Sequence, residues 1–445
     1  MSRILKSDKL NNDSFIINKL SHEGRGITHK NDKSVFVRGA LPGEEVTLNN
    51  IAKKNGVLIA NTDQVLTSSP DRINPKCEHS ILCGGCSLQH VDTQYQMKHK
   101  QQTVAEQLTN IAKIDLPEFS PVINGDIWGY RRKARLGVRY VAKKERFLVG
   151  FREFNGRFLA DIKSCQILVP KVGLGLDKLA DLVSSLSIGA KIPQIEVTQA
   201  DNATALLIRH LEPFSDADIA IIKDFGLTND YHIYLQDKGY DSLRLLHPQN
   251  TEDAKLFYTI PEHDLTLFFK VYDFIQVNAK VNLSLINKTI EWLELTGSDH
   301  VLEGFCGIGN FSLPMAKYAA SVTAIENCSS LLADADKNAK FNNVKNVNFV
   351  KDDLYNCKNT CNYADNTKFN KLFLDPPRSG AAPWLPIALS TKPSIIVYVS
   401  CHSASLARDA ALLQQAGYEL TNIAVANMFP HTAHVETIAQ FKYKG

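Results

Sequence analysis

HVLEGFCGIGNFSLPMAKYAASVTAIE, residues 300–326, reads as an apolar strand, a glycine-rich turn, a helix and a second strand that ends on an acid. Two further apolar runs follow, KLFLDPP (371–377) and SIIVYVSC (394–401). Helix-like stretches, LLADADKNAKFN (331–342) and ASLARDAALLQQAG (404–417), lie between and after them. This alternation predicts a mostly parallel sheet covered by helices, an α/β Rossmann-like domain. In such a sheet the glycines of GFCGIGN, Gly304–Asn310, allow a tight turn and let a ligand approach the backbone. Glu326, ending the second strand, is placed to accept both hydroxyls of a ribose.

A dinucleotide fold shares that layout, so the turn alone does not name a ligand. LDPP, Leu374–Pro377, shifts the balance, because Asp-Pro-Pro at a later strand end recurs in S-adenosylmethionine methyltransferases. Amino-group methyltransferases usually follow the prolines with an aromatic residue that stacks on the target base. Here Arg378 follows, and Cys401 ends the next strand. Most strand-end cysteines are packing, but one beside LDPP has a use. A carbon nucleophile such as uracil C5 must be activated before it attacks a methyl group, and a thiolate adding to C6 does this. A base must then remove the C5 proton so that the thiolate can leave. FPHTAHVET (429–437) supplies Glu436, His431 and His434, and chemistry alone does not choose among them.

A second cluster is Cys77, Cys83 and Cys86, with Cys165 well downstream. The C-x5-C-x2-C spacing includes CGGC, whose glycines bring backbone amides close to inorganic sulfide. Zinc also takes four thiolates, usually from two short pairs. A triplet plus one distant cysteine fits an iron–sulfur cubane better. Cys306, Cys328, Cys357 and Cys361 show no partner logic, and Cys306 reads as packing.

The 445 residues exceed one core and suggest two or three domains. Composition is that of a globular protein, 44% hydrophobic and 22% charged with a formal net charge of +3. No apolar run approaches a membrane span, and MSRILKSDKLNND has no apolar signal core, so a cytoplasmic chain with reduced thiols is expected. Charge is uneven: residues 121–170 hold eleven Lys/Arg against four Asp/Glu, interleaved with Trp128, Tyr130, Tyr140, Phe147 and Phe151. Basic residues among aromatic faces suit a polyanion whose bases stack, although a solvated sheet face has the same composition. Residues 1 to about 66 are short β-runs punctuated at Gly24, Gly26, Pro42-Gly43 and Asn55-Gly56, which suggests a small OB-like β-barrel. Residues 171 to about 260 mix helix-like and strand-like runs, an α+β pattern.

Five motifs together resemble the bacterial RNA uracil-C5 methyltransferases, in the branch with a TRAM β-barrel and a [4Fe–4S] cluster that methylates 23S ribosomal RNA. They are HEGRGI with VRGALPGEEV, then CGGCSLQH, FIQVN, GFCGIGNFSLP, and the LDPPR…YVSC…FPHTAHVE series, and they span essentially the whole chain. The resemblance implies Cys401 as nucleophile and Glu436 as base. It implies Gln276, Phe305, Asn310, Glu326, Asp353 and Asp375 around S-adenosylmethionine; Asp352 adjoins Asp353, and that assignment can slip by one. Cys77, Cys83, Cys86 and Cys165 match the cluster ligands. It further implies a TRAM barrel over 1–68, an iron–sulfur and RNA-binding domain over 69–92 and 126–262, and a methyltransferase domain over 93–125 and 263–445. The partner would be 23S rRNA, with a uridine flipped from a single-stranded or loop region, and the enzyme a monomer. A transfer RNA methyltransferase, another 23S uridine and a non-catalytic RNA-binding iron–sulfur protein are the alternatives. Three positions depart from the usual pattern: Glu303 stands for Asp, His402-Ser403 for Asn-Pro, and Asn427 for Asp.

Overall fold

The computed structural model describes residues 13–154, 156–356 and 369–445, so Cys357 and Cys361 lie outside the described residues. Seven strands form the C-terminal sheet: β1 (His300–Gly304), β2 (Ser321–Glu326), β3 (Val347–Lys351), β4 (Lys371–Leu374), β5 (Ile395–Ser400), β6 (Tyr418–Ala426) and β7 (Glu436–Tyr443). Their order is β3-β2-β1-β4-β5-β7-β6. The first five are parallel, and β7 runs antiparallel between β5 and β6. Every residue of β4 and β5 is buried, as the near-continuous apolar runs require in a sheet covered on both faces.

Side-chain alternation divides the core in two. Val301, Val322, Ala324, Phe373, Val397 and Val399 face the helix Ala279–Leu293. Leu302, Ile325, Leu372, Leu374, Ile396 and Tyr398 face the other way, toward Leu406 and Leu413 of the helix Ser403–Gln415. The second layer also takes in Met97, Val104 and Leu108 from a helix far upstream. That helix, Thr93–Gln107, starts where the Asp92 carboxylate accepts the amides of Gln94 and Tyr95. The sequence reads one helical run to about Lys113; the structure ends the α-helix at Gln107 and closes with a π-helical turn over Leu108–Ala112. The chain then runs beside β6, with parallel bridges Phe119–Ile423 and Ile123–Ala426.

Two other six-stranded sheets precede this one. Strands within 15–67 surround a small core of Ile17, Val35, Val37, Ala40, Val46, Leu48 and Ala60. The basic segment supplies the strands Lys133–Val141 and Arg146–Gly150 to a sheet completed by strands between 194 and 247. Among the described residues no helix is long and apolar enough to cross a membrane.

Candidate active site

Parallel pairing puts the loops that follow β1 to β5 along one edge, the C-terminal edge where ligands bind in open α/β sheets. After β1 the backbone turns sharply. Phe305 sits at φ 67°, Gly307 at 56° and Gly309 at 93°. A side chain at Gly304 would meet the Trp384 ring at 2.6 Å, so the close approach there requires glycine. The turn aims the Gly307 amide at Glu326 Oε2, 3.2 Å away, while the Cys328 amide donates to Oε1 at 3.0 Å. Glu326 is thereby fixed at the mouth of the crevice with lone pairs to spare for a ligand.

Asn310 is clamped as firmly. It accepts from the Tyr258 hydroxyl at 2.9 Å and from Asn282 Nδ2 at 3.0 Å, and donates to Asn282 Oδ1 at 2.9 Å. Neither Tyr258 nor Asn282 carries a motif, and their part in this site is visible only in three dimensions. Gln276, half-buried, is tied by its carbonyl to Arg132 Nε at 2.8 Å. After β3, the Asp353 carboxylate accepts from Asn356 Nδ2 at 2.7 Å and the Tyr355 amide at 3.0 Å, and the Asn356 bond is the main reason its pKa lies below normal. Asp352 accepts from the Asp353 amide at 2.8 Å, so both acids help shape this loop. Tyr355 then reaches across to Ser379 Oγ (2.7 Å) and the Gly380 carbonyl (2.8 Å), linking it to the loop after β4.

The register of β5 and β7 gathers the rest. Their ladder ends with Ser400 opposite Thr437, so Cys401 and Glu436 are the next residues across the same gap. Desolvation pushes the Cys401 thiol up to about 11, reinforced by the charges of Glu436 and Asp375 and opposed by Arg378. Glu436 is buried, and its carboxyl is held well above the usual range by desolvation and by Asp375. Desolvation brings Asp375 to about 7 and Glu303 to about 8. Carboxyl groups and a thiol whose neutral forms are favoured thus lie within electrostatic reach of one another, an arrangement that suits a cationic ligand.

Of the three candidate bases only Glu436 acts on the Cys401 thiol. His431 is a bolt between segments. Its amide donates to Gln96 Oε1 at 3.0 Å, its Nε2 lies 3.1 Å from the Ile127 carbonyl, and its ring stacks on Trp128 at 3.9 Å. Its carbonyl accepts the amides of Ser87 and Leu88. Burial holds its pKa down at about 4. His434 is exposed, its Nδ1 3.5 Å from Arg378 Nη2.

His402 has a structural task. It is the N-cap of the helix Ser403–Gln415, its Nδ1 accepting the Ser405 amide at 3.3 Å, with an exposed ring. An Asn side chain would cap in the same way, which accounts physically for the exchange at 402. His402→Asn is therefore expected to leave the thiol's pH dependence unchanged and to change stability by less than about 1 kcal/mol; thermal unfolding and pH titration of alkylation at Cys401 check this.

Cys77, Cys83, Cys86 and Cys165 line a single cavity together with Phe151, Ile162 and Ile167, and all four thiols are free. A Cβ at Gly84 would come within 2.9 Å of the Phe154 backbone, so glycine is required where the cysteine loop turns over the next strand. The Gly85 amide points at Cys83 Sγ from 3.4 Å. Desolvation raises Cys86 to about 12 and Cys165 to about 11. Among the described residues no three or more His, Cys, Asp or Glu form a group that could hold a single metal ion. Cys306 is buried in the core, as packing.

Residues 258–442 match the family model for tRNA (Uracil-5-)-methyltransferase. Over 429 residues the chain is 41% identical to the 23S rRNA (uracil(1939)-C(5))-methyltransferase of Francisella tularensis subsp. holarctica strain LVS, covering 96% of each chain. It is 42% identical over 429 residues to the enzyme of the same description from Hahella chejuensis, again 96% of each. Among solved structures, Pyrococcus abyssi tRNA (uracil-54, C5)-methyltransferase in complex with S-adenosyl-L-homocysteine superposes with a TM-score of 0.71 at 22% identity, over 96% of this chain and 100% of that one. That likeness establishes the shared fold.

Proposed function

We propose, from the premise that this chain belongs to the RNA (uracil-C5)-methyltransferase family, that it uses S-adenosylmethionine to methylate C5 of a uridine in 23S rRNA. The position is the one that the full-length relatives' names give, uracil 1939. The observation that carries the chemistry is the juxtaposition of Cys401, Glu436 and Asp375 at one strand edge.

Cys401 adds as thiolate to uracil C6, and the electron pair moves onto C5 and O4. C5 takes the methyl group, which the bound donor's sulfonium supplies. The Glu436 carboxylate removes the C5 proton, and the C6–S bond breaks to return the thiolate. Arg378 is the neighbour whose charge favours the thiolate. A cationic donor bound beside these carboxyls would lower the thiol's pKa in the same way. Glu326 is read as the ribose acid, and Gln276, Phe305, Asn310, Asp353 and Asp375 as the remaining donor contacts.

Cys77, Cys83, Cys86 and Cys165 are read as ligands of a [4Fe–4S] cluster. Tetrahedral zinc, with Zn–S bonds of about 2.3 Å, needs its donors converged on one point. Four thiols around one cavity, three from one short loop and one from far downstream, support the cubane reading. Methyl transfer needs no redox step, so the cluster's part is structural or RNA-organising. Residues 1–68 are read as a TRAM barrel, since the sheet's two edge strands, Phe15–Ile16 and Lys19–Leu20, adjoin in sequence and force it to curl. Residues 69–92 with 126–262 form the cluster domain, and 93–125 with 263–445 the methyltransferase body, a division supported by the bridges of 119 and 123 to β6. The enzyme works as a cytoplasmic monomer on a uridine flipped from single-stranded or loop RNA.

The test is to map 5-methyluridine in rRNA and tRNA from a strain lacking the gene. One 23S uridine is expected to lose its methyl group, to regain it with the wild-type gene and not with Cys401→Ala. Loss confined to tRNA would overturn the substrate; restoration by Cys401→Ala would overturn the mechanism.

A further inference from the structure

Lys100, at the centre of the helix Thr93–Gln107, is fully buried. Its Nζ donates to the Phe429 carbonyl at 3.0 Å and to Asn427 Oδ1 at 3.3 Å. Both belong to the turn between β6 and β7 that ends on Glu436. The contact continues along that turn: the Phe429 carbonyl also accepts from Thr432 Oγ1 at 3.0 Å, and Thr432 Oγ1 accepts the His434 amide at 3.2 Å, two residues before Glu436. The Asn427 amide is fixed to the Ile123 carbonyl at 2.8 Å, so Asn427 is a rigid, neutral partner.

We propose that Lys100 is a positioning residue for the loop that bears Glu436, and that it works as an ammonium with no carboxylate paired to it among the described residues, so that product elimination loses its support when Lys100 gives up its proton. The inference rests on the reading of Glu436 as the base. As an ammonium Lys100 holds both oxygens with charge-assisted hydrogen bonds, roughly twice as strong as neutral ones; a neutral amine keeps two N–H donors but loses that charge. Burial alone acts on this amine and brings its pKa to about 7. The groups facing it are His99 on its own helix and His431 and His434 on the loop, the last also beside Arg378 and Arg131. All three histidines are shifted down by desolvation, so they do not supply the charge change near neutrality.

The experiment follows the decay of the covalent RNA adduct in single turnovers of the full-length holoenzyme across pH, for wild type, Asn427→Asp and Lys100→Met. Wild-type decay is expected to rise as Glu436 ionises and to fall again above about pH 7. Asn427→Asp, which gives Lys100 a counter-ion, moves only the falling limb, upward by about one to three pH units. Lys100→Met decays about tenfold more slowly, without that falling limb, and with an unchanged KM for S-adenosylmethionine. Superimposable profiles for wild type and Asn427→Asp overturn the proposal, even if Lys100→Met does not fold. Absence of any adduct in the wild type overturns the reading of Cys401 and Glu436 as well, which separates the two failures.

Discussion

Glu436→Gln is expected to leave the enzyme joined to its RNA. The amide is nearly isosteric, so Cys401 still adds to C6 and C5 still receives its methyl group. With no carboxylate to take the C5 proton, the C6–S bond has no electron pair to expel it. A species of enzyme plus RNA, resistant to denaturation, should accumulate on a gel while turnover falls on the order of 10³-fold. The same gel run with Cys401→Ala should show no such species, since the sulfur is the point of attachment. Failure of Glu436→Gln to accumulate adduct on the correct RNA would remove Glu436 from the proposed role. The pH dependence has a defined sign. A base whose pKa is raised by burial beside Asp375 is lost as the pH falls, so wild-type elimination should slow in acid and the adduct should become visible there.

The second large effect concerns the four-cysteine cavity. Anaerobically prepared wild-type protein should carry about four iron and four sulfide per chain and absorb in the visible. Cys86→Ala should abolish both. Because ligand binding at such a site is folding free energy, the variant should also lose several kcal/mol, a fall in unfolding temperature on the order of 10 °C. Zinc at one equivalent with no sulfide would overturn the iron–sulfur reading. The loss should spread beyond the cavity, since the amides of Ser87 and Leu88, next to Cys86, both donate to the carbonyl of His431. His431 lies in the turn that leads to Glu436. Methylation should therefore fall in the variant even at temperatures where it remains folded, and normal activity without the cluster would exclude even an RNA-organising role.

Much of the catalytic sheet was legible from its own residues. Continuous apolar runs such as IIVYVS suit strands covered on both faces, as in an open α/β sheet, and the glycines of GFCGIGN mark where the first strand must turn. The N-terminal sheet was readable from its turns, and the run from about Asp92 to Lys113 as a polar helix-like segment, although its Asp92 cap and π-helical end were not. The departure at His402 was visible as an anomaly, but its meaning was not, because capping depends on where the helix begins.

By itself the sequence determined the elements and the chemistry available at their ends: Cys401 after a buried strand, Asp375 before two prolines, three cysteines on one short loop. These follow from local periodicity and covalent spacing, which act within a few residues. Only the tertiary structure decided which groups meet. The antiparallel insertion of β7 beside β5 brings Glu436 to Cys401 and leaves His431 stacked on Trp128. Lys100 reaches a residue 327 positions away, and Gln96 one 335 positions away. Contacts of that separation are set by how sheets and helices pack, and no local pattern in the chain encodes them.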